Sequence, residues 1–129
     1  MTVCVFAASS SRIDKKYAEA ARELGTLIAS SRIQVIYGGG GIGLMGVLAD
    51  AVISGGGIIT GIMPSFMNDE GWGHPRVMDM ILTSDMAERK KNMFSRADAV
   101  VALPGGVGTL EELTEAITLK QLGLFRGPV

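Results

Sequence analysis

The run Ala99-Val100-Val101-Ala102-Leu103, followed by Pro104-Gly105-Gly106-Val107-Gly108-Thr109-Leu110-Glu111-Glu112-Leu113, leaves this chain few folds to choose from. An unbroken apolar run of this length has the character of a strand buried on both faces, which belongs in a parallel sheet. Pro104 cannot donate to a sheet ladder and so marks the strand's exit. Gly105, Gly106 and Gly108 leave the main chain open to close approach by another molecule. Thr109 and Glu112 stand at capping-box spacing, which predicts that a helix begins at Thr109. A helix N-terminus behind a loop without side chains presents unpaired N–H groups and the positive end of a dipole, an anion site. The stretch predicts a phosphate cradle.

The rest of the chain repeats the strand–turn–helix pattern. Thr2 to Ala7 is a short buried strand and Ala8 to Ile13 a polar turn. Asp14 is placed to cap a helix running to Ser30, whose apolar residues Tyr17, Ala20, Ala21, Leu24, Leu27 and Ile28 recur at helical spacing. Gln34 to Tyr37 is a second strand, Gly38 to Gly41 its turn, and a helix follows from Ile42 or Gly43 to Ser54. Ile58 to Met63 is a third strand, stopped by Pro64. Ser65 to Pro75 reads as loop, and Val77 to Leu82 as a short strand. Asp85 starts a helix, with Glu88 at the capping-box position, that runs to Ala97. The last helix ends near Leu122, where Gly123 suits a C-terminal cap. Gly127-Pro128-Val129 reads as the start of a further strand. Short loops between alternating strands and helices imply a Rossmann-like α/β fold, a doubly wound parallel sheet with helices on both faces. Ligands in such folds sit at the carboxyl ends of the strands, where both glycine turns fall. Residues 1–129 are expected to form a single nucleotide-binding domain.

Composition narrows the partners. The 129 residues carry a net charge of −1 with no basic run, which speaks against nucleic acid and acidic membranes. The chain has 18 glycines, clustered at strand ends, where they serve turns and not a linker. Cys4 is the only cysteine, so neither a disulfide framework nor a sulfur-based metal cluster is expected. His74 is the only histidine, and no carboxylates cluster beside it, so no metal site is expected either. No signal-peptide pattern opens the chain, and Ala51 to Pro64 is too short and too glycine-broken to span a membrane. A cytoplasmic protein is the expectation.

Several residues admit both a chemical and a structural role. Gly41-Ile42-Gly43-Leu44-Met45-Gly46 matches the dinucleotide fingerprint, but the third strand ends without the acidic residue that would hold a ribose hydroxyl. Two glycine turns at one sheet edge favour a phosphorylated ligand over bare tight turns. Arg89 and Lys90 lie on the helix that precedes the main glycine turn. They serve either as a solvated face or as a guanidinium and ammonium beside that turn, able to grip phosphate or carboxylate. Glu112 is either a capping-box partner or a catalytic carboxylate. Asp69 and Glu70 sit in the long loop, as does Trp72, which serves as a base-stacking platform or a loop anchor.

Pro104-Gly105-Gly106-Val107-Gly108-Thr109-Leu110-Glu111-Glu112 matches the PGGxGTxxE signature of the LOG ("lonely guy") family. Asp85-Met86-Ala87-Glu88-Arg89-Lys90 resembles that family's Asp-Met-x-x-Arg-Lys segment. Tyr37 to Gly46 resembles its first glycine turn, and Gly61-Ile62-Met63-Pro64 its third-strand exit. These proteins are cytokinin riboside 5′-monophosphate phosphoribohydrolases, often mislabelled as lysine decarboxylases. The resemblance implies hydrolysis of the N-glycosidic bond of an N6-prenylated adenosine 5′-monophosphate, without metal or redox cofactor, by a homodimer. Unmodified AMP as the substrate and a carrier without turnover are the alternatives. Arg89 and Glu112 match the family's catalytic pair. Arg89, Lys90, Gly105, Gly106, Val107, Gly108, Thr109, Leu110 and Glu111 match its substrate contacts; Glu70, Gly39, Gly40 and Gly43 complete the expected set. Family chains continue with further strand and helix past the point matching Val129, so this chain is expected to lack those C-terminal elements.

Overall fold

In the computed structural model, which describes residues 1–129, strand and helix alternate as β1 (Thr2–Phe6), α1 (Lys15–Ser30), β2 (Gln34–Tyr37), α2 (Gly43–Ser54), β3 (Ile59–Pro64), α3 (Ser65–Asp69), β4 (Asp79–Thr83), α4 (Met86–Arg96), β5 (Ala99–Ala102) and α5 (Val107–Gln121). The strands form one sheet in the order β4-β3-β2-β1-β5, every pair parallel. The sheet thus grows outward from β1 through β4, and the chain then returns to place β5 on β1's other side. That reversal opens a crevice beyond the carboxyl ends of β1 and β5.

Alternation along the strands divides the core between two layers. Val3, Val5, Val35 and Tyr37 pack with Ile28 of α1 and with Leu48, Ala49 and Val52 of α2. Cys4, Phe6, Ile36, Ile62 and Val100 face the other way, onto Met93 of α4 and Ala116 of α5. Helices therefore cover both faces, as the run of buried strands implied. Asp14 caps α1, its carboxylate accepting from the Lys16 N–H at 2.9 Å, and Asp85 caps α4 by accepting from the Glu88 N–H at 2.8 Å. Glu88 closes that turn by accepting from the Ser84 N–H and hydroxyl at 2.7 and 2.6 Å.

Three local expectations are corrected. Ser65 to Asp69 is a short helix, not loop, because Pro64 fixes an extended entry and the chain turns immediately. The fourth strand is Asp79–Thr83, set by its ladder with Thr60–Pro64, while Val77 is a core residue ahead of it. Most consequentially, α5 begins at Val107 with Gly106 as its N-cap and no side-chain cap bond. Thr109 is thus already inside the helix, and Glu112 is not a capping partner. Past α5, Gly123 takes φ +75°, and the Pro128 carbonyl accepts from the Val100 N–H at 2.9 Å, laying that segment along the side of β5 away from β1.

Glycine positions in α2 record how tightly the main chain is folded here. Gly43 has φ +68°, and a Cβ there would stand 2.6 Å from the Ala8 and Ser10 carbonyl oxygens. A Cβ on Gly46 would stand 2.7 Å from the Gly41 carbonyl carbon, with no flexible side chain to give way. Replacing glycine by alanine inside a helix ordinarily gains up to about 1 kcal/mol. Here overpacking against main chain reverses the sign, and Gly46→Ala is expected to destabilise by about 1–3 kcal/mol. A urea midpoint at or above wild type would overturn that account.

Candidate active site

A cavity of about 720 Å³ opens at the carboxyl edge of the sheet, over the β1/β5 crevice. One wall is the start of α5, from Gly106 to Thr109 with Glu111 and Glu112. Opposite lies the first glycine turn with Gly38, Gly40 and Gly41, backed by the Gly71–Gly73 loop. Arg89 and Met86 come from α4, and Met63 and Met67 from β3's exit and α3.

Arg89 is buried, at 7% exposure, and the main chain holds it: Nε donates to the Ile62 carbonyl at 2.8 Å and Nη2 to the Gly38 carbonyl at 2.6 Å. Gly38 directly follows β2, and Ile62 is the first β3 residue past the end of the β2–β3 ladder, which explains why a helix residue can be fixed at the sheet edge. The Nε–Nη2 edge is therefore spent on the protein and cannot grip a ligand as a bidentate fork. Nη1 has only the Met86 sulfur, at 3.8 Å, among protein partners. Burial lowers the Arg89 pKa, while the field of Glu112 works to raise it. The guanidinium stays charged and supplies fixed positive charge to the floor of the cavity.

Glu112 responds the other way. Burial pushes its carboxyl up to about 7, against the pull of Arg89 and Lys90 and with the push of Glu111 and Glu115. It forms no ion pair; the lysine and arginine pairs of the chain go to Glu111, Glu115 and Asp50. A partly buried carboxyl poised near neutrality in a cleft is how acid–base and charge-stabilising residues are commonly held.

The α5 N-terminus is the part of the site whose main-chain N–H groups are left open. No side chain caps it, and it faces the cavity. A Cβ on Gly106 or Gly108 would meet nothing within 4 Å, so the fold itself has room for a side chain at both. Gly105 differs: a Cβ there would collide with the Thr109 side chain and lie 3.1 Å from the Ala8 nitrogen. The first glycine turn, by contrast, is braced by protein. Its Gly41 N–H donates to the Trp72 carbonyl at 3.3 Å, and its Gly39 carbonyl accepts from the His74 N–H at 2.8 Å.

Of the residues expected at the site, Arg89, Glu112, Gly40, Gly106, Val107, Gly108, Thr109 and Glu111 line the cavity. Gly39, Gly43, Gly105 and Leu110 lie behind or beside it, as parts of its frame. Lys90 is turned away from it, donating to Glu111 and to Glu115, the latter at 2.6 Å, and so ties α4 to α5. Glu70 is the exposed C-cap of α3, outside the cavity lining. Sequence reasoning passed over Met45, Met63, Met67 and Met86, which with Trp72 and Ile42 make up much of the apolar wall. The available signal was eight methionines, three of them in the first turn of a helix and a fourth, Met63, next to the end of β3. No group of three or more His, Cys, Asp or Glu gathers to hold a metal.

The model of a protein family described as "possible lysine decarboxylase" matches residues 45–129. The chain belongs to that family. It is 44% identical, over 98% of its length, to the cytokinin riboside 5′-monophosphate phosphoribohydrolase LOG7 of Arabidopsis thaliana. It is also 44% identical to the probable cytokinin riboside 5′-monophosphate phosphoribohydrolase LOGL9 of Oryza sativa subsp. japonica. The chain spans 58% and 56% of the length of these two relatives. The molybdenum cofactor carrier protein of Chlamydomonas reinhardtii superposes with a TM-score of 0.79 at 24% identity, covering 92% of this chain and 72% of that one, and shares the fold.

Gly106 and Gly108 separate structure from recognition. Gly108→Ala, on the outer face of the first turn of α5, is expected to leave the melting temperature at or slightly above wild type. Affinity for nucleoside monophosphates, read by calorimetry, should fall severalfold, as a Cβ holds the phosphate off the N–H groups. A variant that binds as well as wild type would show that no anion approaches this turn.

Proposed function

We propose that this chain hydrolyses the N-glycosidic bond of N6-prenylated adenosine 5′-monophosphate, releasing the free base and ribose 5-phosphate. The observation that carries this reading is Glu112, a carboxyl raised to about 7 in the same cavity as the uncapped N-terminus of α5. The names of the curated relatives point the same way. In this reading the N–H groups of Gly106 to Thr109 hold the 5′-phosphate, which sets the ribose over the β1/β5 crevice. Breaking the bond from C1′ to the base nitrogen leaves positive charge on the sugar. Ionised Glu112 stabilises that charge or orients the attacking water, whose oxygen joins C1′ and keeps one proton as the new hydroxyl while the other passes to the leaving base nitrogen. Arg89, locked to the Ile62 and Gly38 carbonyls, fixes the substrate and keeps Glu112 ionisable near neutral pH.

The apolar wall supports the prenylated nucleotide over AMP. Met45, Met63, Met67 and Met86 are flexible and polarisable, suited to an irregular branched alkenyl group. Lysine decarboxylation draws no support from the site, since no lysine lines the cavity and Lys90 is paired to Glu111 and Glu115. We read residues 1–129 as one nucleotide-binding domain acting in the cytoplasm; no helix is long and apolar enough to cross a membrane. A homodimer is supported by Leu110 and Ile117 of α5, 59% and 50% exposed, with Leu122 and Leu124 beyond them. Sedimentation equilibrium should give a dimer, and Ile117→Glu a monomer; a monomeric wild type would exclude the assembly.

Release of base from isopentenyladenosine monophosphate and from AMP, measured side by side, tests the activity. Preferential cleavage of the prenylated nucleotide is expected. Faster AMP cleavage would make the chain a general nucleosidase, and binding without cleavage would favour a carrier. Because ionised Glu112 is the working form, kcat/KM should rise as pH climbs through about 7. Glu112→Gln should lose about two or more orders of magnitude in turnover. The sign for stability is opposite. A carboxyl raised in the folded state loses stability as pH rises through about 7. Glu112→Gln should therefore melt no lower than wild type at pH 8, whereas a purely structural Glu112 would melt earlier and keep proportional activity.

A further inference from the structure

His74 is the one histidine of the chain and takes no part in the site chemistry above, yet it is 6% exposed and fully bonded. Its Nε2 lies 2.8 Å from an Asp50 carboxylate oxygen on α2, and its Nδ1 accepts from the Arg76 N–H at 3.0 Å. That second bond requires an unprotonated Nδ1, so Nε2 carries the proton and donates to Asp50. The Arg76 guanidinium donates to the same Asp50 oxygen at 2.5 Å. Burial works to raise the Asp50 pKa, but the bonds from His74 and Arg76 outweigh it and hold the carboxyl below its usual range.

These three residues close the far end of the segment that forms the cavity's outer wall. Between α3 and His74 that segment is Glu70-Gly71-Trp72-Gly73, two of its four residues glycine, with Gly71 at φ +79°. Trp72 is 53% exposed, so no apolar core fixes it. What holds the wall on the glycine turn is main chain: the Gly41 N–H on the Trp72 carbonyl, the His74 N–H on the Gly39 carbonyl, and the Gly40–Gly73 bridge. A short, glycine-rich stretch with half-exposed contents needs an anchor, and the buried imidazole is the one side chain here that supplies it.

We propose that Asp50, through His74 and Arg76, is a positioning group that sets where Trp72 and the Gly71–Gly73 wall stand, and thereby how well the cavity holds the base of its nucleotide. The proposal rests on the phosphoribohydrolase reading for its kinetic consequence, but not for its structural one. Asp50 lies outside the cavity lining, half-exposed on α2, so it touches no substrate.

Trp72 is the only tryptophan, so its fluorescence reports on the wall directly, whatever the chain catalyses. Asp50→Ala is expected to increase acrylamide quenching of Trp72 and shift its emission, with the far-ultraviolet dichroism of the fold retained. The KM for isopentenyladenosine monophosphate should rise about tenfold with kcat changed little, the mark of lost positioning. Asp50→Asn, whose amide oxygen can still accept from Nε2, should recover part of both effects. Arg76→Gln, on an exposed side chain, is the second variant should Asp50→Ala fail to fold, and it should move quenching in the same direction. Wild-type quenching in both folded variants would overturn the proposal. Altered quenching with an unchanged KM would also overturn it, since the wall would move without consequence for binding. Should the wild type cleave no nucleotide at all, the activity reading fails, and the quenching result still decides the clasp.

Discussion

The main chain of Ala8 is the point on which this site depends. Its N–H donates to the Pro104 carbonyl at 3.1 Å and its carbonyl accepts from the Met45 N–H at 3.2 Å. One residue at the exit of β1 thus fixes both the turn leading into α5 and the first turn of α2. Gly43 makes this possible, since a Cβ there would strike the main chain of Ala8 to Ser10, and a Cβ on Gly105 would strike the Thr109 side chain and crowd the Ala8 nitrogen at 3.1 Å. Gly43 answers to the approach of main chain to main chain, and Gly105 to the side chain of Thr109. Gly106 and Gly108 have open space where a Cβ would stand, so packing within the fold does not require glycine at either. The same residue type thus meets crowding at one position and open space at two others within four residues.

Electrostatics at the sheet edge follow from that frame. Arg89 is buried without a carboxylate partner in contact, an arrangement that costs several kcal/mol unless the donors are satisfied. The Gly38 and Ile62 carbonyls satisfy it, and they are available because β2 ends at Tyr37, so β3 has no β2 partner beyond Gly61. Glu112 lies within the field of that charge without pairing to it. The result is a cation held permanently and a carboxyl poised near neutrality, on two helices that reach the cavity from the same layer. Lys90 stabilises the arrangement from outside by bridging α4 to Glu111 and Glu115 on α5. Its pKa is raised by those bonds, which keeps the bridge charged across the neutral range.

The chain's fold and the sheet edge where the cavity opens were legible because both are local in origin. Buried strands of four to six residues, Asp14 and Asp85 as caps, and glycine at the turns are written in consecutive residues. Parallel pairing follows from the intervening helices, and the placement of the turns at the carboxyl edge follows from parallel pairing. The Arg89–Glu112 combination was legible only through motif resemblance, since each residue alone has an ordinary helical explanation. The start of α5 was misjudged because Thr109 and Glu112 mimic a capping box. In the folded chain Gly106 takes the cap, and Thr109 packs against Gly105 instead.

Tertiary structure alone decided the rest. Whether Lys90 faced ligand or protein depended on where α5 crosses α4, which no spacing within α4 encodes. The spent edge of Arg89 depended on carbonyls more than twenty-five residues away in sequence. The apolar wall of Met45, Met63, Met67 and Met86 is assembled from separate elements that meet only at the sheet edge. The partnership of Asp50 with His74, twenty-four residues apart, likewise had no local signature. The sequence by itself determined the elements, the parallel sheet and the edge at which the cavity opens, because periodicity, caps and turns act between near neighbours. Only the tertiary structure decided which charged groups are free, which are spent and what shape surrounds them, because those depend on contacts that exist solely once the sheet has formed.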